Sequence, residues 1–404
     1  MSKLSLNVVS APRPDAVGSE PPSMIQLSEP MRRFRCNQKG CCCSGWDIPF
    51  RLEDFLRLNE YLPEGEREAL THGIRLVLEE KSKEGGEQVL HSLKLDGVGE
   101  DKACRFLAPG GACSVHAAHG PEALPDLCVD FPAFGYRRDD AAVELWFDPV
   151  CPEVLERLDE SDAPLELHQQ KGFFGDPNLD PRVQHTSDPI GGRLGKTRLP
   201  MSAIDKIRAV GVAAFADPAR APWRTLAALL HAYRRLRVGN EDRFELVEPE
   251  DTGPFLRFLG DSIGSHGADL LNATVVRYKR FIWSIDPLPL VTSPLLIQHL
   301  DQWQPAYAQW LAPQEDSLRG LMVRWMAHRF GLPMMKGRGE LREAADGIVH
   351  VYATSLRIAA AMGAVLEKPV DRAIYKAALG ASEFFYRSLN LPREALPWFA
   401  SARE

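Results

Sequence analysis

The chain has 404 residues, 45% of them hydrophobic and 25% charged, with a formal net charge of −7. That length suits two or three domains of ordinary soluble composition. The acidic balance offers no basic excess for nucleic acid, and no apolar run reads as long enough to span a membrane.

Residues 1–30 read as a flexible tail rich in Pro, Ser and Ala. The stretch has neither the continuous apolar core nor the cleavage site of a signal peptide. The cytoplasm, where thiols stay reduced, is the expected compartment. Residues 31–165 form a cysteine-bearing segment read as a metal-binding domain with little strand. Within it RLEDFLRLNEYL (51–62) reads as a helix, with apolar Leu52, Phe55, Leu56 and Leu58. A second helix is expected around GIRLVLEEKSKE (73–84). AVELWFDPVC (142–151) alternates as a strand does, and CPEVLERLDE starts a helix with Pro152 in its first turn.

Residues 166–200 are rich in Gly, Pro and Asp and read as a connector or an ordered functional loop. From 201 to 404 the pattern is helical. Leu226, Leu229, Leu230, Tyr233 and Leu236 follow the spacing of one buried face. Leu318, Leu321, Met322 and Trp325 repeat it, closed by Gly331 and Pro333. Further helices are expected at 269–284, 293–311, 341–366 and 371–389. The fold class is therefore mainly α: a cysteine-rich N-terminal segment followed by a helical domain. Arg234, Arg235, Arg237, Arg277, Lys279 and Arg280 lie on the expected helices, where they form a solvated face or receive an acidic partner.

The cysteines are unevenly placed. Cys36, Cys41, Cys42, Cys43, Cys104, Cys113, Cys128 and Cys151 all fall in the first 151 residues, and none follows. Small core hydrophobes would scatter along the whole chain. Disulfides call for an exported, loop-rich domain, and a thioredoxin-like couple calls for C-x-x-C, which is missing here. The remaining reading is a metal or cluster site, because thiolates are the natural ligands of zinc and of iron–sulfur clusters. In an extended chain neighbouring side chains point to opposite sides, so Cys41 and Cys43 can face one centre while Cys42 faces away. Cys36 can join them through a turn at Gly40. In CRFLAPGGACSVH the Ala-Pro-Gly-Gly loop brings Cys104 and Cys113 together. Eight thiols suffice for two four-cysteine sites, or for one site with structural thiols beside it. His116 and His119 are either zinc donors or ordinary helix-terminal histidines. Trp46 reads as a packing residue that shields the site.

Other motifs fail on inspection. Counting C-x3-C from Cys36 lands on Gly40, which breaks the radical-S-adenosylmethionine spacing. GGRLGKT (191–197) has Ile190 where a phosphate loop needs glycine, and no expected strand precedes it. There is no HExxH and no GxGxxG turn after a strand.

The ordered motifs FRCNQKGCCCSGWDIPFRLEDF, CRFLAPGGACSVH, LCVDFPAFG and CPEVLERL resemble those of the flagellin lysine-N-methylase family. They also resemble the wider group of cysteine-cluster proteins described as zinc- or iron-chelating. The resembling positions are Cys42, Cys43, Gly45, Trp46 and Ile48, then Cys104, Phe106, Leu107, Cys113, Ser114 and Val115. Cys128, Phe131 and Pro132 follow, then Cys151, Pro152 and Glu153. In one departure the first cluster is contracted, Cys41 abutting the Cys42–Cys43 pair. The resemblance covers roughly the first 160 residues. It implies an iron–sulfur cluster of the 4Fe–4S type, with zinc as the alternative metal. It further implies S-adenosylmethionine as methyl donor and lysine methylation of a protein substrate, flagellin. The alternative it leaves is a chelating protein without methyltransferase activity.

Overall fold

The computed structural model describes residues 25–35, 43, 48–83, 86–98, 103–137, 143–160, 165, 167–170, 193–194, 197–217, 220–240, 243–257, 259, 294–335 and 341–388. The first element falls where composition suggested only a tail. Ile25–Ser28 is strand β1, followed by the 3-10 turn Glu29–Arg33. Strand β2 (Ile48–Phe50) leads into α1 (Leu52–Tyr61) and α2 (Glu64–Gly73).

The helix expected over 73–84 is instead strand β3 (Ile74–Lys83), paired antiparallel with β4 (Gly86–Leu95) from Ile74↔Leu95 to Lys83↔Gly86. The Glu-Glu-Lys stretch favours a helix locally. Ile74, Leu76 and Leu78, however, recur at period two, and ten consecutive cross-strand pairs outweigh propensity. β2 adds to the far side of β4, giving the order β2-β4-β3.

Two short helices follow, α3 (Ser114–His119) and α4 (Asp126–Asp130), then strands β5 (Ala133–Arg137) and β6 (Val143–Phe147) and helix α5 (Pro152–Glu160). β7 (Leu167–Gln170) completes a second sheet in the order β5-β6-β1-β7, with β1 parallel to β6 and antiparallel to β7. Residues 167–170, read as connector, thus form a sheet edge. Two short strands, β8 (Arg193–Leu194) and β9 (Thr197–Arg198), pair nearby in sequence. The rest of the 166–200 stretch lies outside the described residues.

The helical part opens with α6 (Met201–Ala216) and α7 (Pro222–Arg235). Proline at the first position of α7 costs no hydrogen bond, and Arg234 and Arg235 in the last turn favour the negative end of the helix dipole. Leu226, Leu229, Leu230 and Tyr233 are buried, as their spacing predicts. The 269–284 helix, with Arg277, Lys279 and Arg280, lies outside the described residues. Where one helix was expected over 293–311, α8 (Pro294–Asp301), α9 (Trp303–Ala306) and a π-type turn (Tyr307–Leu311) run in succession.

Then come α10 (Glu315–Met335), α11 (Leu341–Val365) and α12 (Arg372–Ser388). α10 does not close at Gly331 and Pro333 but continues through both to Met335. Pro333 sits in the final turn, where it removes the amide that would bond the Arg329 carbonyl but leaves few residues after it to be disrupted. α11 is buried on all sides by α7, α8, α10 and α12. Its stretch Gly347–Val365 is by length and composition able to cross a membrane, a run the sequence reading passed over, and 89% of it is buried within the protein.

A single hydrophobic cluster crosses the boundary read at 166–200. It joins Leu27, Met31, Phe34, Leu145, Phe147 and Val154 to the buried faces of α6, α7, α10, α11 and α12. α6 packs on α10 at Gly211, where a Cβ would fall 2.2 Å from the Phe330 ring, so glycine fits without displacing that ring. α5 is held by its C-terminal end. Arg324 of α10 donates to the Leu158 carbonyl at 2.5 Å, and Arg372 of α12 pairs with Asp159 at 2.7 Å. Burial alone would lower the pKa of Lys376, but its bonds to Glu156 and Asp159 outweigh that and hold it raised.

Where the sheet meets the helices the core is polar. Glu144 of β6 is fully buried and accepts Arg208 of α6 and the Trp146 indole N–H, each at 2.7 Å. The Arg208 guanidinium also lies over the Trp146 ring, 5.5 Å from its centroid. The His328 ring of α10 is 5.4 Å from that indole, and Nε2 donates to the Phe147 carbonyl at 2.6 Å. A carbonyl only accepts, so the proton is on Nε2. Deeper in, Glu383 accepts the Trp325 indole at 2.9 Å and pairs with Arg329 at 3.2 Å.

Two predictions follow from this seam. Glu144→Ala leaves the Arg208 charge buried without its carboxylate and lowers stability by about 3–5 kcal/mol in urea denaturation; the double replacement Glu144→Leu with Arg208→Met recovers most of that loss. Burial pushes the His328 pKa down to about 4, against 6.5 when unfolded, with the Phe147 carbonyl and Asp148 opposing and Arg329 assisting. The unfolded chain therefore binds the extra proton first. Stability is full above pH 6.5 and falls by about 3 kcal/mol as the pH drops to 4. His328→Gln should remove that share of the slope in denaturation curves collected across this range.

Candidate functional site

The cysteine segment has a core of its own. Leu58 and Leu62 of α1, Leu70 of α2, Leu95 of β4, Val115 of α3 and Phe106, Ala123 and Leu124 form a small cluster. Cys104, Cys113 and Cys128 pack against it. These eight apolar side chains are a thin core for a segment with so much loop. Such segments commonly need a crosslink or a metal to hold together.

Local sequence explains how each thiol is placed. Cys43 is the described member of the triplet, and its carbonyl accepts the Cys104 amide at 2.6 Å. The first motif is thereby tied directly to the second, 61 positions later. After Cys104 the chain turns on Leu107, whose amide bonds the Cys104 carbonyl at 3.0 Å. Gly111 takes φ +88°, a left-handed conformation that glycine adopts without strain. The strand then returns, pairing Leu107 with Cys113 and Phe106 with the Ser114 amide at 2.8 Å. The Ala-Pro-Gly-Gly stretch thus folds back as its composition suggests, and Cys113 stands at the start of α3.

Cys128 is in the middle of α4, and a polar clamp sets the position of that helix. The buried Asp54 of α1 accepts the Asp126 amide at 2.9 Å and the Arg51 amide at 3.0 Å. Arg57 bridges Asp54 at 2.5 Å and Asp126 at 2.8 Å. Asp126 is the first residue of α4, where a carboxylate suits the helix dipole. The sequence reading missed this clamp. The available signal was Pro125-Asp126, a helix-start pair next to Cys128.

Cys151 is placed otherwise. It precedes α5 and packs against the large cluster, not the small one. Its amide bonds the Asp148 carbonyl at 2.9 Å, and the Asp148 amide bonds Pro132 at 2.8 Å, so the chain after Cys128 is linked to the turn that carries Cys151.

Cys43, Cys104, Cys113, Cys128 and Cys151 are thiols, half-buried and not disulfide-bonded. Cys36, Cys41 and Cys42 lie outside the described residues, as do Gly45 and Trp46. Among the described residues no three Cys, His, Asp or Glu side chains converge closely enough to hold a metal ion. His119 packs its ring on Tyr61 at 5.7 Å at the end of α3, and His116 lies one turn before it. Both positions match the helix-terminal reading. Thiols are the donors a thiophilic metal takes, and three of the half-buried ones, Cys104, Cys113 and Cys128, pack on the same small core.

Comparison with protein-family models, with curated proteins and with solved structures gave no match.

Asp54→Ala should free α4 from α1. The expected result is a stability loss of about 1–3 kcal/mol together with faster alkylation of Cys128 in the metal-free protein, followed by peptide mass mapping. Alkylation of Cys151, on the other core, should keep its rate.

Proposed function

We propose that this protein is an iron–sulfur protein that transfers methyl groups from S-adenosylmethionine to lysine amines of a protein substrate, in the manner of the flagellin lysine-N-methylases. Two supports bear on it: the motif order in the first 160 residues, and the contact between Cys43 and Cys104. The contact carries the reading. Thiols far apart in sequence can share a metal only if the fold brings their backbones together, and here the two richest cysteine motifs share a hydrogen bond.

The cluster ligands are drawn from Cys36, Cys41, Cys42, Cys43, Cys104, Cys113, Cys128 and Cys151. A bound cluster would supply metal–thiolate bonds that crosslink the loops around the small core. Methyl transfer from a sulfonium to an amine is a direct displacement: the nitrogen–carbon bond forms as the carbon–sulfur bond breaks. The lysine must be neutral to attack, so the chain has to desolvate the amine or accept its proton.

Anaerobic purification followed by iron, acid-labile sulfide and zinc analysis tests the cluster. The expected result is matching iron and sulfide, lost on combined replacement of Cys43 and Cys104 by serine. Incubation of the loaded protein with S-adenosylmethionine and flagellin tests the chemistry, read as mass increments of one methyl group on lysine. A loaded cluster without any increment would remove the methylase reading and leave a chelating protein. A protein with neither iron nor zinc would remove both.

A further inference from the structure

The basic stripe at the end of α7 is not used by the cysteine chemistry. Ala227, Leu230, His231, Arg234 and Arg235 share one face of that helix at three- and four-residue spacing, and they form one wall of a groove of about 450 Å³. The facing wall is the segment 247–251 with Pro254 and Phe255. Leu230 and Phe255 are buried in its floor.

The two walls differ in charge. Arg235 on one lip and Glu250 on the other make no ion pair or hydrogen bond among the described residues. Glu248, on the same wall, is held by Arg220 and Arg224 at 3.4 and 3.5 Å. Asp251 caps the Gly253 amide at 2.7 Å and keeps its exposed position. The field at His231 is that of the arginines: burial lowers its pKa, and Arg235 and Arg234 lower it further.

Val247 is 47% exposed on its wall, and Val238 and Leu256 are 52% and 46% exposed next to it in sequence. A small ligand would fill the groove and leave these side chains in water. A polymer would cover them.

We propose that this groove binds an extended peptide segment of a partner protein, with an acidic side chain against Arg235 and a basic one against Glu250. Apolar side chains of the same segment lie on Leu230 and Phe255 and reach the exposed valine and leucine side chains. The charged lips set direction and register, and exposed Val247 supplies apolar surface to cover. This site is independent of the cysteine reading and stands or falls without it.

The test is selection of a phage-displayed library of random twelve-residue peptides on the full chain, followed by anisotropy with the enriched peptides as labelled synthetics. The enriched sequences should combine an acidic and a basic residue with apolar neighbours. Arg235→Glu and Glu250→Lys, both at exposed positions, should each weaken binding about tenfold or more. Exchanging the acidic residue of the peptide for lysine should restore its affinity for Arg235→Glu. Circular dichroism of the variants should match that of the parent chain. Selection without enrichment, or enriched peptides that bind both variants as tightly as the parent chain, would overturn the proposal. Iron and sulfide contents of the same preparations report on the cysteine segment separately.

Discussion

A guanidinium and a carboxylate removed from water together hold the two parts of this protein to each other. Glu144 comes from the inner strand of the four-stranded sheet and Arg208 from the first long helix, and neither charge is tolerable inside the core without the other. Their 2.7 Å contact, shared with the Trp146 indole, fixes the face of the sheet that meets the helices. Leu145 and Phe147 then point the other way by the period of a strand, and Phe147 meets Phe34 with ring centroids 5.0 Å apart.

The seam continues along α10. His328 stays neutral because it is buried, and its Nε2–H is spent on the Phe147 carbonyl, the next residue along the strand from Trp146. Arg329, one position on, turns to Glu383 of α12. Consecutive residues of one helix thus serve opposite neighbours, so a shift of α10 would break both contacts at once. Buried polar groups of this kind add little net stability, but they penalise wrong packings heavily.

The cysteine segment works by a different balance. Its small core of Leu58, Leu62, Leu70, Leu95, Phe106, Val115, Ala123 and Leu124 is separate from the large cluster, and its helices are short. Hydrogen bonds carry much of the order there. The Asp54–Arg57–Asp126 clamp sets α4, the Cys43–Cys104 bond sets the first loop, and Arg105 reaches back to the Ala69 carbonyl at the end of α2. Thiols placed on such loops are where metal–sulfur bonds would contribute most to stability.

Much of this was legible in the chain itself. The buried faces of α7 and α10 follow from Leu226 to Tyr233 and from Leu318 to Trp325, because a stripe of apolar residues at helical spacing has one way to leave water. The turn between Cys104 and Cys113 was readable from its glycines, and the confinement of cysteine to the first 151 residues marked the segment to inspect. Other features needed the tertiary structure. Ile25–Ser28 is a strand only because β6 and β7 lie on either side of it, and Ile74–Lys83 is one only because β4 supplies ten partners. Glu144, Arg208 and His328 look like surface residues in a sequence, and nothing local distinguishes them. Periodicity reports how a segment sorts its own side chains between water and the interior. Pairing partners and buried charges depend on which distant segment arrives, and only the folded chain decides that.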